Sequence, residues 1–275
     1  MTGPDVRHRA AVLGSPVRHS LSPVLHTAAY HALGLADWAY TAVECDEAGL
    51  PGFVDGLDPS WAGLSLTMPL KRVALEVADS VGPLAAAVGA ANTLLLDGAR
   101  RAENTDVAGI AAALRSAGVS TVDRAVVLGA GGTALAALAA LAELGCAEPV
   151  VLVRDPARTG DLRAAAERLG VRPDVRGGLP DVPLPEADVI VSTLPAGAAD
   201  PLRGPAWGPG TVVLDVVYAP WPTRFAEAAG AAGCRTVSGL VMLLHQAVAQ
   251  VELMTGRAAP VAAMRAALDE AASRR

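Results

Sequence analysis

Short runs of β-forming residues alternate with helix-length Ala/Leu-rich stretches along the whole chain, a pattern that predicts an α/β protein with parallel sheets. "RAAVLG" reads as a strand, "SPVLHTAAYHALGL" as a helix beginning near Ser22, and "WAYTAVE" and "WAGLSL" as further strands. "NTLLLDGARRAENT" reads as two strand ends around a turn at Asp97 and Gly98, because Asp-Gly tolerates the positive φ of a tight hairpin. "TDVAGIAAALRSAG" has helical spacing and ends at Gly118, a suitable C-terminal cap. A second β-α series starts at "RAVVLGAGGTALAALAALAELG" and runs through "PVVLVRD", "ADVIVSTLPAG" and "GTVVLDVVY". Two helical stretches, 240–255 and 260–274, follow it.

At 275 residues the chain can hold one large domain or two modest ones, and the two β-α series favour two. Apolar residues make up 52%, yet no run approaches the roughly 18 to 20 residues of a membrane span. The nearest, the Ala-rich stretch after Gly132, is ended by Glu143 and Gly145, so no membrane association is expected. No apolar segment of signal-peptide length precedes Pro16, which argues against secretion and for a cytoplasmic protein. Cys45, Cys146 and Cys234 are too few and too scattered for a disulfide framework or a thiolate metal site. A net charge of -6 with dispersed arginines leaves no basic patch for nucleic acid, so an anionic ligand must be held locally.

"VVLGAGGTA" places Gly129, Gly131 and Ala134 in a G-x-G-x-x-[GA] pattern between an apolar strand and a helix. The first glycine makes the turn, the second lets the backbone approach a pyrophosphate, and the third small residue lets helix and strand pack closely. With Ala130, Gly132 and Thr133 the segment opens a helix whose N-terminal amides can bind phosphate. At the end of the next strand stands Arg154, where an NAD enzyme usually has a carboxylate, and Arg158 follows one turn later. Two arginines there suit a 2′-phosphate and hence NADP, although Asp155 beside them would repel it unless turned away. A solvated charge cluster is the alternative.

Lys71, in "SLTMPLK", is the only lysine; every other basic residue except histidine is arginine. Lysine can pass a proton to or from a substrate oxygen near neutral pH, whereas arginine holds the oxygen but keeps its proton. The only two asparagines, Asn92 and Asn104, each lie in an Asn-Thr pair, and the second leads into Asp106, an acid able to pair with Lys71 or simply to cap a helix.

"GSPVRHSLSPVLH", "SLTMPLK", "GAANTL", "NTD", "GAGGTA", "VRDPAR", "DVVYAPWPT" and "GLVMLLHQA" resemble, in order and spacing, the shikimate dehydrogenases, and the resemblance covers nearly the whole chain. It implies NADP-dependent reduction of 3-dehydroshikimate to shikimate in aromatic biosynthesis. A quinate or aminoshikimate dehydrogenase of the same fold, perhaps using NAD, and a non-catalytic NADP sensor are the alternatives. By the resemblance, Ser20 and Ser22 bind the substrate carboxylate together with Tyr218, while Thr67, Asn92 and Gln246 bind the carboxylate end and ring hydroxyls. Lys71 and Asp106 are then the catalytic pair, and Gly239 lies against the nicotinamide. Plainer roles exist: Ser20 or Ser22 as helix caps, Gln246 as a solvated helix residue, and the Tyr218 segment as a rigid proline turn.

The chain departs from the family pattern in three places. The family usually has Asn at Ser65, an Asn-Arg-Thr run at Val153, Arg154 and Asp155, and Asn-Ala-Thr-Ser where "STLPAG" stands. The first should touch a supporting hydrogen bond more than chemistry. The expected architecture is an α/β substrate domain with an open twisted sheet over 1–104 and a Rossmann-type NADP domain over 105–237. C-terminal helices over 238–275 return to the first domain, and the active site lies in a cleft that closes on its ligands. The oligomeric state is open, with a homodimer one reading, and no metal is expected.

Overall fold

The computed structural model describes residues 6–202 and 207–274. The start of the segment read above for a leader, residues 1–5, lies outside them. The chain divides into two compact units, Met1–Thr105 with Gln246–Arg275, and Asp106–His245.

The first unit is built on β1 (His8–Gly14), β2 (Trp38–Glu44), β3 (Trp61–Leu66), β4 (Ser80–Val81), β5 (Thr93–Leu96) and β6 (Arg100–Glu103), in the order β2-β1-β3-β5-β6-β4. The helices α1 (Ser22–Ala32), α2 (Leu50–Asp55), α3 (Val73–Glu76) and α4 (Pro83–Val88) connect them. Only β5 runs against its neighbours, because the Asp97-Gly98 turn folds it onto β6, with Gly98 at φ +102°. The sheet is therefore mixed rather than purely parallel. The reversal brings the start of β5 beside the ends of β3 and β6, with Thr93 opposite both Ser65 and Glu103. β1 is buried on both faces: Ala11 and Leu13 pack with Leu64, Leu66, Leu94 and Leu50, and Ala10 and Val12 with Tyr30, Tyr40 and Leu95. A strand covered on both sides needs no polar alternation, which is why "AAVL" is uniformly apolar.

The second unit has α5 (Asp106–Ser116), α6 (Gly132–Glu143), α7 (Gly160–Leu169) and α8 (Arg224–Ala231) around six strands. These are β7 (Ala125–Leu128), β8 (Val150–Leu152), β9 (Asp174–Arg176), β10 (Val189–Ser192), β11 (Val212–Asp215) and β12 (Arg235–Ser238). They pair in parallel throughout in the order β12-β11-β10-β7-β8-β9, the doubly wound arrangement whose ligand crevice lies beyond the strand ends where the order reverses, between β7 and β10.

Two helices follow, α9 (Gly239–Thr255) and α10 (Val261–Ser273). The return to the first unit falls between His245 and Gln246, inside α9, and not at residue 238 as the sequence pattern suggests. α9 is one unbroken helix: its first residue abuts Val216, whereas Gln250 bonds to β3 and Met254 packs on Gly63. Among the described residues no helix is long and apolar enough to cross a membrane. All three cysteines are buried and unbridged, and burial raises each thiol's pKa.

Candidate active site

In the first unit the site residues gather at the edge where β1, β3 and β6 end and β5 begins. The segment after β3 lies hard against the end of β1: Thr67 N–H donates to the Leu13 carbonyl (2.9 Å) and Ser15 N–H to that of Met68 (3.0 Å). The approach requires glycine at position 14, since a Cβ there would sit 2.3 Å from Thr67 Cγ2. A turn closed by Leu70 N–H on the Thr67 carbonyl (2.8 Å) leads into Lys71, whose own carbonyl accepts from Ala91 N–H (2.7 Å), next to Asn92. Lys71 and Asn92 are thus carried on strapped neighbouring segments, and Lys71 is half-buried.

Asn92 is buried, and its Oδ1 accepts from Thr105 N–H (2.7 Å) and Thr93 Oγ1 (3.0 Å). Its Nδ2 donates to Thr105 Oγ1 (2.9 Å) and Gln246 Oε1 (3.3 Å). Gln246 is buried, so it is not the solvated helix residue of the plainer reading. Ser22 is the first residue of α1 rather than its cap, and Ser20 Oγ accepts its N–H (3.2 Å). Asn104 holds the Ala90 carbonyl (2.8 Å). Asp106, the first residue of α5, is buried and belongs to the second unit, as do Tyr218, Gly239 and the nucleotide-loop residues.

The polar core behind this edge is uncharged. His26, stacked on Tyr40 with ring centroids 4.0 Å apart, has its pKa pushed down to about 3 by burial, against a weaker opposing hydrogen bond to Gln250 Oε1. Burial also raises the pKa of Tyr30 and Tyr40. Neutral groups of this kind can donate to an anion or a hydroxyl without the desolvation cost of a buried charge.

In the second unit, β7 ends in Gly129 at φ +105°, where a Cβ would stand 2.7 Å from Thr193 Oγ1. Thr193, in the "STLPAG" stretch, donates to the Leu128 carbonyl from both N–H (3.0 Å) and Oγ1 (2.7 Å), which locks β10 to the turn. Gly131 precedes α6, and a Cβ added there would meet nothing within 4 Å. Ala130, Gly132 and Thr133 are half-buried around it, and Ala134 is fully buried. The first glycine therefore serves the turn, the second leaves space for a ligand, and Ala134 packs.

Arg154 is exposed after β8, and the 3₁₀ turn Pro156–Arg158 follows. Asp155 Oδ1 accepts Ala157 N–H (2.9 Å), so its carboxylate caps that turn. Neither Arg154 nor Arg158 is held in an ion pair among the described residues.

Asp215, buried at the end of β11, accepts from Thr223 Oγ1 (2.7 Å) and Val217 N–H (3.2 Å), and desolvation raises its pKa. Thr223 in turn caps α8 through Ala226 N–H (3.1 Å). The loop bearing Tyr218 is pinned at both ends, and Gly239 lies so close to it that a Cβ would be 2.0 Å from the Val216 carbonyl oxygen. Among the described residues no cluster of three or more His, Cys, Asp or Glu side chains could hold a metal ion.

Residues 12–94 match the family description "Shikimate dehydrogenase substrate binding domain", and residues 239–268 match "Shikimate 5'-dehydrogenase C-terminal domain". A Moorella thermoacetica protein named shikimate dehydrogenase (NADP(+)) is 38% identical over 95% of this chain and 92% of its own. The chain belongs to the shikimate dehydrogenase family. The Mycobacterium tuberculosis shikimate dehydrogenase structure is 45% identical, with TM-score 0.83 over 96% of this chain and 99% of that one. The Thermus thermophilus shikimate 5-dehydrogenase, solved in complex with NADP(H) and shikimate, is 36% identical, with TM-score 0.83 over the same shares of the two chains. Ser65, Thr93, His26, Tyr40 and Gln250 join the polar edge of the first unit through hydrogen bonds or ring contacts, and of these Tyr40 and Gln250 lie outside the family-like stretches. The available signal was rarity, because the chain has only two glutamines and one of them is Gln250.

Proposed function

We propose that this protein catalyses the reversible NADP-dependent reduction of 3-dehydroshikimate to shikimate. The carrying observation is the buried, uncharged polar edge formed by Asn92, Gln246 and Ser22, beside the segment of the chain's only lysine. A small polyhydroxylated anion calls for many neutral donors and acceptors and one titrating centre.

Ser20, Ser22 and Tyr218 bind the carboxylate, and Thr67, Asn92 and Gln246 hold the carboxylate end and ring hydroxyls. Gly129, Ala130, Gly131, Gly132, Thr133 and Ala134 seat the pyrophosphate, Arg154 and Arg158 the 2′-phosphate, and Gly239 borders the nicotinamide. The bound dinucleotide supplies the hydride. Lys71 gives its ammonium proton to the substrate oxygen as that oxygen gains negative charge, and Asp106 holds the ammonium in place. In the oxidising direction Lys71 takes the proton back.

The test is steady-state oxidation of shikimate and of quinate by the purified protein, each with NADP and with NAD, followed by absorbance of the reduced nicotinamide. Preference for shikimate with NADP supports the reading; preference for quinate or NAD overturns the substrate or cofactor assignment. Replacing both Arg154 and Arg158 by Ala should raise KM for NADP and leave KM for NAD unchanged. The biosynthetic role places the protein in the cytoplasm, which cell fractionation checks; sedimentation velocity decides whether it is a homodimer.

A further inference from the structure

The chain has four carboxamide side chains, Asn92, Asn104, Gln246 and Gln250, and all are buried, at 2, 6, 7 and 1% exposure. The proposed function uses Asn92 and Gln246, and Asn104 anchors a carbonyl. Gln250, the most buried of them, is unassigned.

We infer that Gln250 is a positioning residue for the ring substrate, orienting Asn92 through its backbone carbonyl and through Thr93; this rests on the reading of Asn92 as a substrate ligand. Gln250 Nε2 donates to the Asn92 backbone carbonyl (3.1 Å) and to Thr93 Oγ1 (2.9 Å). Its Oε1 accepts from Ser65 Oγ (2.7 Å) and faces His26 Nε2 at 3.4 Å. A backbone carbonyl can only accept, so the amide nitrogen must face Asn92 and the oxygen must face Ser65 and His26. The proton of the neutral His26 ring therefore sits on Nε2.

The same logic orders the neighbouring groups. Ser65 donates to Gln250 and accepts from Tyr40 Oη at 2.6 Å. Thr93 accepts from Gln250, which turns its own hydroxyl toward Asn92 Oδ1 at 3.0 Å. With Oδ1 also taking Thr105 N–H, the Asn92 carboxamide plane is set and its Nδ2 is directed toward Thr105 and Gln246. One buried amide thus fixes the orientation of the Asn92 carboxamide, one of the proposed substrate contacts. Ser65 alone cannot do this, because a hydroxyl has one proton to give. Gln250 brings its carboxamide from α9 to within 2.7 Å of the Ser65 hydroxyl on β3.

The test is Gln250→Leu, which keeps volume and removes the amide, assayed with shikimate and NADP. A positioning role predicts that KM for shikimate rises about tenfold, the worth of one or two misdirected hydrogen bonds, with KM for NADP unchanged. The double variant Ser65→Asn/Gln250→Ala, which moves the carboxamide back to β3 at nearly constant volume, should recover most of that loss. A lower Tm with both KM values at wild type would show a merely structural glutamine and overturn the proposal. If Gln250→Leu does not fold, Thr93→Val removes the hydroxyl that links Gln250 to Asn92 Oδ1 and is read the same way: a raised shikimate KM supports the proposal and an unchanged one overturns it. A wild-type protein that turns over no shikimate would instead overturn the functional reading, and the inference with it.

Discussion

Replacing Gly239 by alanine tests how the first residue of α9 meets the loop that carries Tyr218. The added Cβ would lie 2.0 Å from the Val216 carbonyl oxygen and 2.5 Å from its carbon, both backbone atoms. Ordinary contact begins at 3.4 Å, so the two segments must separate by more than an ångström. Neither can yield cheaply. Val216 N–H is bonded to the Ser192 carbonyl (3.0 Å), Asp215 is in register with Ser238, and Asp215 also holds Val217 and Thr223. Overpacking of this kind costs about 1–3 kcal/mol, and at about 2–4 °C per kcal/mol the Tm should fall by several degrees. If this loop carries the proposed Tyr218 contact to substrate, a displacement near 1 Å costs about 10²-fold in rate, so kcat/KM should fall by that order. Thermal unfolding and steady-state kinetics of Gly239→Ala read both effects. A variant with wild-type Tm and kcat/KM would refute the close approach itself. A lowered Tm with unchanged kinetics would show that the strain is relieved away from Tyr218, and would remove Gly239 from the functional account.

Gly131→Ala should behave in the opposite way, because its Cβ meets no protein atom within 4 Å: Tm stays within about 2 °C of wild type, while KM for NADP rises at least about tenfold as the methyl enters the space left for pyrophosphate. An unchanged KM would contradict that use of the space. Asp215, whose pKa burial raises, holds its proton more tightly folded than unfolded, so its contribution to stability falls as pH rises through the interval above the unfolded carboxylate value. Asp215→Asn removes that dependence, and the Tm of wild type minus that of the variant should decline from acid toward neutral pH; a rising difference would mean the carboxylate is instead stabilised in its charged form. Lys71→Arg should lose about 10²-fold or more in kcat, since the charge persists but the transferable proton does not; wild-type kcat would end the proton-transfer assignment.

Local patterns carried much of the architecture. Apolar strands next to Ala-rich helices, Asp97-Gly98 as a hairpin and the glycines at 129 and 131 are short-range signals, and each depends on geometry that a few neighbouring residues enforce. The mixed first sheet and the division inside α9 were not legible. A hairpin reveals which strands it joins but not the strand beside them, and a continuous helix shows no mark where its partners change.

By itself, the sequence determined the fold class and the tight turn at Gly129, because these rest on residue type and on spacing within a single turn or strand. Only the tertiary structure decided that Asp155 turns its carboxylate onto its own 3₁₀ turn, that Gln246 is buried against Asn92, and that Ser65 and Gln250, far apart in the chain, share a hydrogen bond. The physical reason is that a buried polar group must find a partner but can take it from any part of the chain. The requirement is written in the sequence, and the choice of partner is made by packing.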